Sequence, residues 1–106
     1  MDTNFIRDRI TSLRIKKGKS EYQMSYDLGH SRGYINNISS GKTLPSMTEF
    51  LSICDYCNIS PSEFFSEEIE DPILLRETVT VLERLSPSDG ELIKQMAERL
   101  LDKDSE

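Results

Sequence analysis

The 106-residue chain has no tryptophan, a single histidine and two cysteines. One histidine (His30) and two cysteines (Cys54 and Cys57) cannot supply the four ligands of a structural zinc site in any recognisable spacing. A redox Cys-x-x-C needs a βαβ setting, which the pattern lacks. Spaced three apart in an apolar stretch, the cysteines read as small buried core residues. No run approaches the ~20 apolar residues of a membrane span. The opening MDTNFIRDRI lacks the basic flank and apolar run of a signal peptide. Both absences point to a soluble, cytoplasmic protein. No nucleophile–base pair or phosphate-cradling glycine loop stands out, so no catalytic residue, cofactor, metal or small-molecule ligand is expected and an enzyme is not. Aromatics make up only 8% of the chain, so a core must come from Leu, Ile, Val, Met, Phe and Tyr.

Positive charge is also scarce, with a net charge of −6. The deficit is confined to one end. Residues through Phe65 hold eight basic and seven acidic side chains; from Ser66 onward there are five basic and twelve acidic. Arg14, Lys16, Lys17 and Lys19 cluster in the first part. The overall balance therefore does not exclude a nucleic-acid partner, though it predicts modest non-specific affinity. The same cluster also reads as a solvated helix end.

What the chain does have is helix punctuation. Gly18, Gly29, Gly41 and Asn58 each follow an apolar-periodic stretch, where a left-handed cap is expected. Ser20 with Gln23, Ser46 with Glu49 and Ser60-Pro61-Ser62-Glu63 mark starts, and Ser86-Pro87-Ser88-Asp89 repeats the logic. The spacing predicts helices over 4–17, 21–28, 32–40, 47–57 and 61–65. The fourth buries Met47, Phe50, Leu51, Cys54 and Cys57, and the fifth ends in a Phe64-Phe65 plug. Two further amphipathic helices, 73–85 and 87–102, form an αα-hairpin. Gly90 weakens the first turn of the last helix by ~1 kcal/mol relative to Ala. No stretch alternates with period two, so the fold class is all-α. The domains divide as 1–66 and an acidic helical extension, 67–106.

The segment SEYQMSYDLGHSRGYINNISSG, Ser20 to Gly41, is the most informative. Two short helices meet at Leu28-Gly29 with too little chain between them to run parallel, which is a helix-turn-helix. On the second of them Ile35 and Ile38 mark the buried side. The opposite side presents Gly33, Asn36, Asn37 and Ser40, flanked by Arg32 and Tyr34. Asn bonds adenine in bidentate fashion and Arg prefers guanine. Gly33 lets a backbone approach closely. Ser31 either caps the helix or bonds a phosphate, the N-terminus of the preceding helix also suits a phosphate, and Lys42 is placed for backbone charge. An exposed Asn pair is ordinarily a solvated face, and Tyr34 is alternatively part-buried. The coincidence of the tight turn with the polar face favours double-stranded DNA.

Residues 13–65 resemble the Cro/cI-like (XRE) helix-turn-helix regulator family. The matching motifs are Leu28-Gly29, Ser31-x-x-Tyr34-Ile35, Gly41-Lys42-x-x-Pro45-Ser46 and Ser60-Pro61-x-Glu63-Phe64-Phe65. The resemblance implies a five-helix lambda-repressor-like domain that binds a pseudo-palindromic operator as a homodimer, in the role of a repressor. It implies base contacts from Arg32, Gly33, Asn36 and Asn37. Positions near phosphate or groove edge are Ser31, Tyr34, Ser40 and Lys42, together with Arg14 and Lys19 from the basic cluster. Three positions depart from the family. Glu21 replaces a phosphate-bonding Gln and is expected to repel phosphate unless it turns away or pairs with Lys19. Ser39 replaces a Glu, which leaves Arg14 free for phosphate. His30 replaces a small apolar turn residue. The C-terminal hairpin is assigned to dimerisation. The alternative is a protein-interaction module, such as an antitoxin gripping its partner through the acidic hairpin.

Overall fold

Short polar side chains and a few left-handed backbone positions decide where this chain starts and stops its helices. The computed structural model describes residues 1–105, with side chains through Lys103; Glu106, the end of the expected hairpin, lies outside them. It contains α1 (Thr3–Lys17), α2 (Glu21–Asp27), α3 (Tyr34–Ser39), α4 (Met47–Cys57), α5 (Pro61–Phe64), α6 (Pro72–Glu83) and α7 (Pro87–Ser105). Among the described residues there is no strand, and no helix is long and apolar enough to cross a membrane.

The hydroxyls of Ser20, Ser46, Ser60 and Ser86 accept the backbone N–H three residues on, at 3.0, 3.1, 3.1 and 3.2 Å. Each satisfies a donor that the first helical turn leaves open. Glu49 and Glu63 return the bond to the amides of Ser46 and Ser60, closing both capping boxes. Gln23 does not; its amide donates to Asp27 instead. Gly18, Gly29, Gly41 and Asn58 all have positive φ, as their positions predicted.

Two expectations need correction. The third helix, α3, starts at Tyr34, not at 32. The Ser31 carbonyl takes the Tyr34 N–H at 3.0 Å, so Arg32 and Gly33 form a turn, and the N-cap, Gly33, has no side chain to cap with. Ser31 is therefore not the cap. On α4, Met47 and Leu51 are 71% and 49% exposed, whereas Ile53 is fully buried. Leu51 sits about 100° round the helix from Phe50, and Met47 lies in the first turn at the rim of the core.

The chain forms two compact units, divided after Pro72. The first runs past the expected boundary at 66, because the segment 66–71 is bonded to α1. Its core gathers Ile10 and Leu13 of α1, Met24 of α2, Ile35 and Ile38 of α3, four α4 residues, Ile59 and Phe64. Phe64 is the central aromatic, edge-on to Phe50 at 4.9 Å and to Phe5 at 6.4 Å between ring centroids. Its neighbour Phe65 is only partly covered. Cys54 and Cys57 are free and buried, as expected. Burial pushes the Cys54 thiol up, and the Cys57 thiol to about 11.

In the second unit, residues 84–86 join α6 to α7. Leu74, Leu75, Val79, Val81 and Leu82 of α6 are exposed, as are Leu92, Ile93, Met96, Leu100 and Leu101 of α7.

Ser25 ties α2 to α3. It is fully buried. Its hydroxyl donates to the Glu21 carbonyl at 2.8 Å and accepts the Ile35 N–H at 3.0 Å. Replacing Ser25 with Ala strands the Ile35 amide without an acceptor, at a cost of ~1–3 kcal/mol. For a chain of this size each kcal/mol lowers Tm by roughly 4–8 °C. Thermal melting followed by circular dichroism checks this; an unchanged Tm would mean that the amide finds another acceptor.

Candidate nucleic-acid interface

By itself α3 is a weak helix. It spans six residues, YINNIS, two of them asparagine and two β-branched, and helices this short do not persist alone in water. Its form is imposed from both ends and from beneath. Ile35 and Ile38 are 1% exposed and anchor its inner side. Ser25 holds its first turn. At its other end, Arg7 reaches across from α1: Nε donates to the Ile38 carbonyl at 3.0 Å, and Nη2 to Gly41 and Thr43 carbonyls at 3.2 and 3.4 Å. The Ile38 carbonyl belongs to the last turn of α3 and also takes the Gly41 amide at 3.1 Å, while the other two lie in the loop that follows; a cation there also opposes the negative end of the helix dipole. The Asn37 carbonyl takes both the Lys42 and Thr43 amides at 3.0 Å, folding the following loop back on the helix.

The outward side is left open. Arg32, Asn36, Ser39, Ser40 and Lys42 are exposed, and Gly33 and Asn37 are half-buried. Apart from Ser39, these are expected site residues, and they fall on one continuous stretch of turn, helix and loop. Arg32 lies over the ring of Tyr22 on α2, 5.7 Å from its centroid. Neither backbone nor crowding calls for a glycine at 33, where φ is −92° and an added Cβ meets nothing within 4 Å.

Three expected residues are placed differently. Tyr34 does not offer a hydroxyl to a groove edge: that oxygen is buried beside Glu49. His30 covers the Tyr34 ring, stacked at 3.8 Å and 9°, with its Nε2 3.9 Å from the Glu49 carboxylate. Burial, with Glu49 adding to it, pushes the Tyr34 phenol up to about 12, so it stays neutral. Arg14 is not free. Its Nη1 donates to the Lys19 carbonyl at 2.8 Å, and its Nε is buried. Arg14 and Lys19 are thereby joined to each other, in the turn between α1 and α2. Glu21, the departure expected to repel phosphate, accepts the hydroxyl of Ser39. It turns toward α3 rather than pairing with Lys19, so two of the unusual positions satisfy each other.

Ser25, Arg7 and Tyr22 were not singled out from sequence. Ser25 reads as a small residue inside a helix and Arg7 as surface charge. Only the Ser20–Gly41 spacing, which brings 25 near 35, carries any trace of the first. Among the described residues, no cluster of three His, Cys, Asp or Glu could hold a metal ion.

No curated protein and no solved structure matches the chain. Residues 8–69 match the family model described as a helix-turn-helix domain. That match spans more than half of the chain and includes α2, α3 and every anchor that fixes them except Arg7. The protein is thus a member of the helix-turn-helix domain family.

Proposed function

We propose that the protein is a sequence-specific DNA-binding transcriptional regulator, a repressor that binds a pseudo-palindromic operator as a homodimer. The observation that carries this reading is the outward side of α3: polar, open to solvent and clamped at both ends. In this reading the first five helices take the lambda-repressor-like arrangement of Cro/cI-like regulators, and α3 enters the major groove. Asn36 and Asn37 read base edges, with adenine their natural partner, and Arg32 reads guanine. A glycine that the fold does not require at position 33 leaves room for the duplex. Ser31, Lys19, Ser40 and Lys42 contact phosphate or sugar. Arg14 acts through the turn it holds.

Repression follows from occupancy: two copies of α3 in successive major grooves, about 34 Å apart, block access to a promoter. Dimerisation is assigned to the second unit, whose exposed apolar residues form a surface of the kind that monomers rarely leave open. The antitoxin alternative gains no support from the helix-turn-helix match.

Selection of bound duplexes from random DNA tests the whole reading. A two-fold symmetric consensus is expected; recovery of no consensus would refute sequence-specific binding. On the selected site, Asn37→Ala should cost ~1–3 kcal/mol and relax base choice at one position of each half. An unchanged base profile would remove Asn37 from the reading set. Lys42→Ala should weaken all duplexes alike and reduce the slope of log K against log salt by about 1. A titration across salt concentrations measures that slope directly.

A further inference from the structure

Arg9 is a charged side chain that is only 7% exposed. It lies outside the interface described above. Burying a guanidinium is costly unless its donors are taken up, and here they go to main-chain oxygen atoms far along the chain. Nη2 donates to the Ser66 carbonyl at 2.8 Å and the Ile69 carbonyl at 3.1 Å, and Nη1 to the Glu70 carbonyl at 3.3 Å. The Phe5 ring lies 5.1 Å from the guanidinium carbon. Seven residues on, two turns along the same side of α1, Lys16 pairs with Asp71. Pro72, the next residue and the first of α6, is buried. The stretch from Ser66 to Asp71 is therefore stapled along α1, up to the last residue of the first unit, Pro72.

We infer that Arg9 is a positioning residue that sets which half-site spacing the dimer accepts. This rests on the reading of a dimer held through the second unit. Unstapled, six residues would behave as a flexible tether with a reach of roughly 15 Å. One base pair of added spacing displaces a half-site by only about 3.4 Å along the axis. A free tether absorbs several such steps, whereas a stapled one does not. The grip is on backbone carbonyls, so it depends on Arg9 and little on which side chains occupy 66–70.

The experiment uses the full chain and the duplex recovered by selection, rebuilt with half-sites from about 8 to about 14 base pairs apart, bracketing one helical turn, plus a duplex with a single half-site. The unaltered protein should show one sharp optimum, losing at least about tenfold in affinity two base pairs away, as the second half-site ceases to be reached intramolecularly. Arg9→Gln should flatten the profile to within roughly threefold while binding the single half-site as before. A sharp optimum in both proteins overturns the role of Arg9 and leaves the dimer reading standing. A flat profile in the unaltered protein, with two-site duplexes bound more tightly than the single half-site, overturns the inference and leaves the dimer reading standing; two-site duplexes bound no more tightly than the single half-site overturn both. If melting shows Arg9→Gln to be unfolded, Lys16→Ala, which removes the exposed second staple, carries the test. It should broaden the optimum, and an unchanged profile again overturns the proposal.

Discussion

The hydroxyl of Ser25 is the contact on which the rest of the site depends. α2 and α3 are too short to persist alone, and the chain between them offers few bonds. One buried oxygen is shared by both helices, donating into the first and accepting from the second. Its net contribution when made is small, ~0.5–1.5 kcal/mol. Its larger effect is on alternatives: any other crossing of the two helices leaves a buried amide or hydroxyl without a partner. Met24, Ile35 and Ile38 supply the apolar contact around it, but apolar contact is non-directional. Direction comes from the hydroxyl.

Three arginines of α1 spend their donors in a similar way. Arg7 holds the end of α3 and its loop, Arg9 holds 66–70, and Arg14 holds Lys19; the hydrogen bonds described above for these guanidinium groups all end on carbonyl oxygens. α1 thus serves as a rack on which three other segments hang. This changes the meaning of the charge count. Lys16 is paired with Asp71, and Lys17 lies over the Tyr56 ring. The cations assigned above to the duplex then come down to Arg32, Lys42 and the half-buried Lys19. With so few of them available for phosphate, selectivity for bases must supply a larger share of any specific binding than counterion release does.

Much of the architecture was legible because it is written locally. Serine starts and left-handed stops obey short-range rules, and the bounds of α4 follow from Ser46, Glu49 and Asn58 alone. The start of α3 was not legible. Ser31 looks like a cap, but it is its carbonyl that takes the Tyr34 amide, and the Ile35 amide in the first turn of α3 is met by Ser25 ten residues earlier. Met47 and Leu51 carry apolar character that fits a core stripe; which apolar residues the core has room for is decided by Phe64 and the segments packed around it. The arginine grips were invisible for a plainer reason. A guanidinium that bonds a carbonyl some 30 to 60 positions away, as Arg7 and Arg9 do, leaves no complementary residue to notice, since every residue has a carbonyl.

The two α4 thiols have a consequence for how the molecule could be watched. Thiolate, not thiol, attacks electrophiles, and both sulfur atoms are enclosed and held protonated. An alkylating reagent in neutral buffer therefore meets almost nothing to modify while α4 stays seated. The rate at which label accumulates becomes a clock for transient excursions of that helix from the packed interior. The native chain carries this probe without any engineered cysteine.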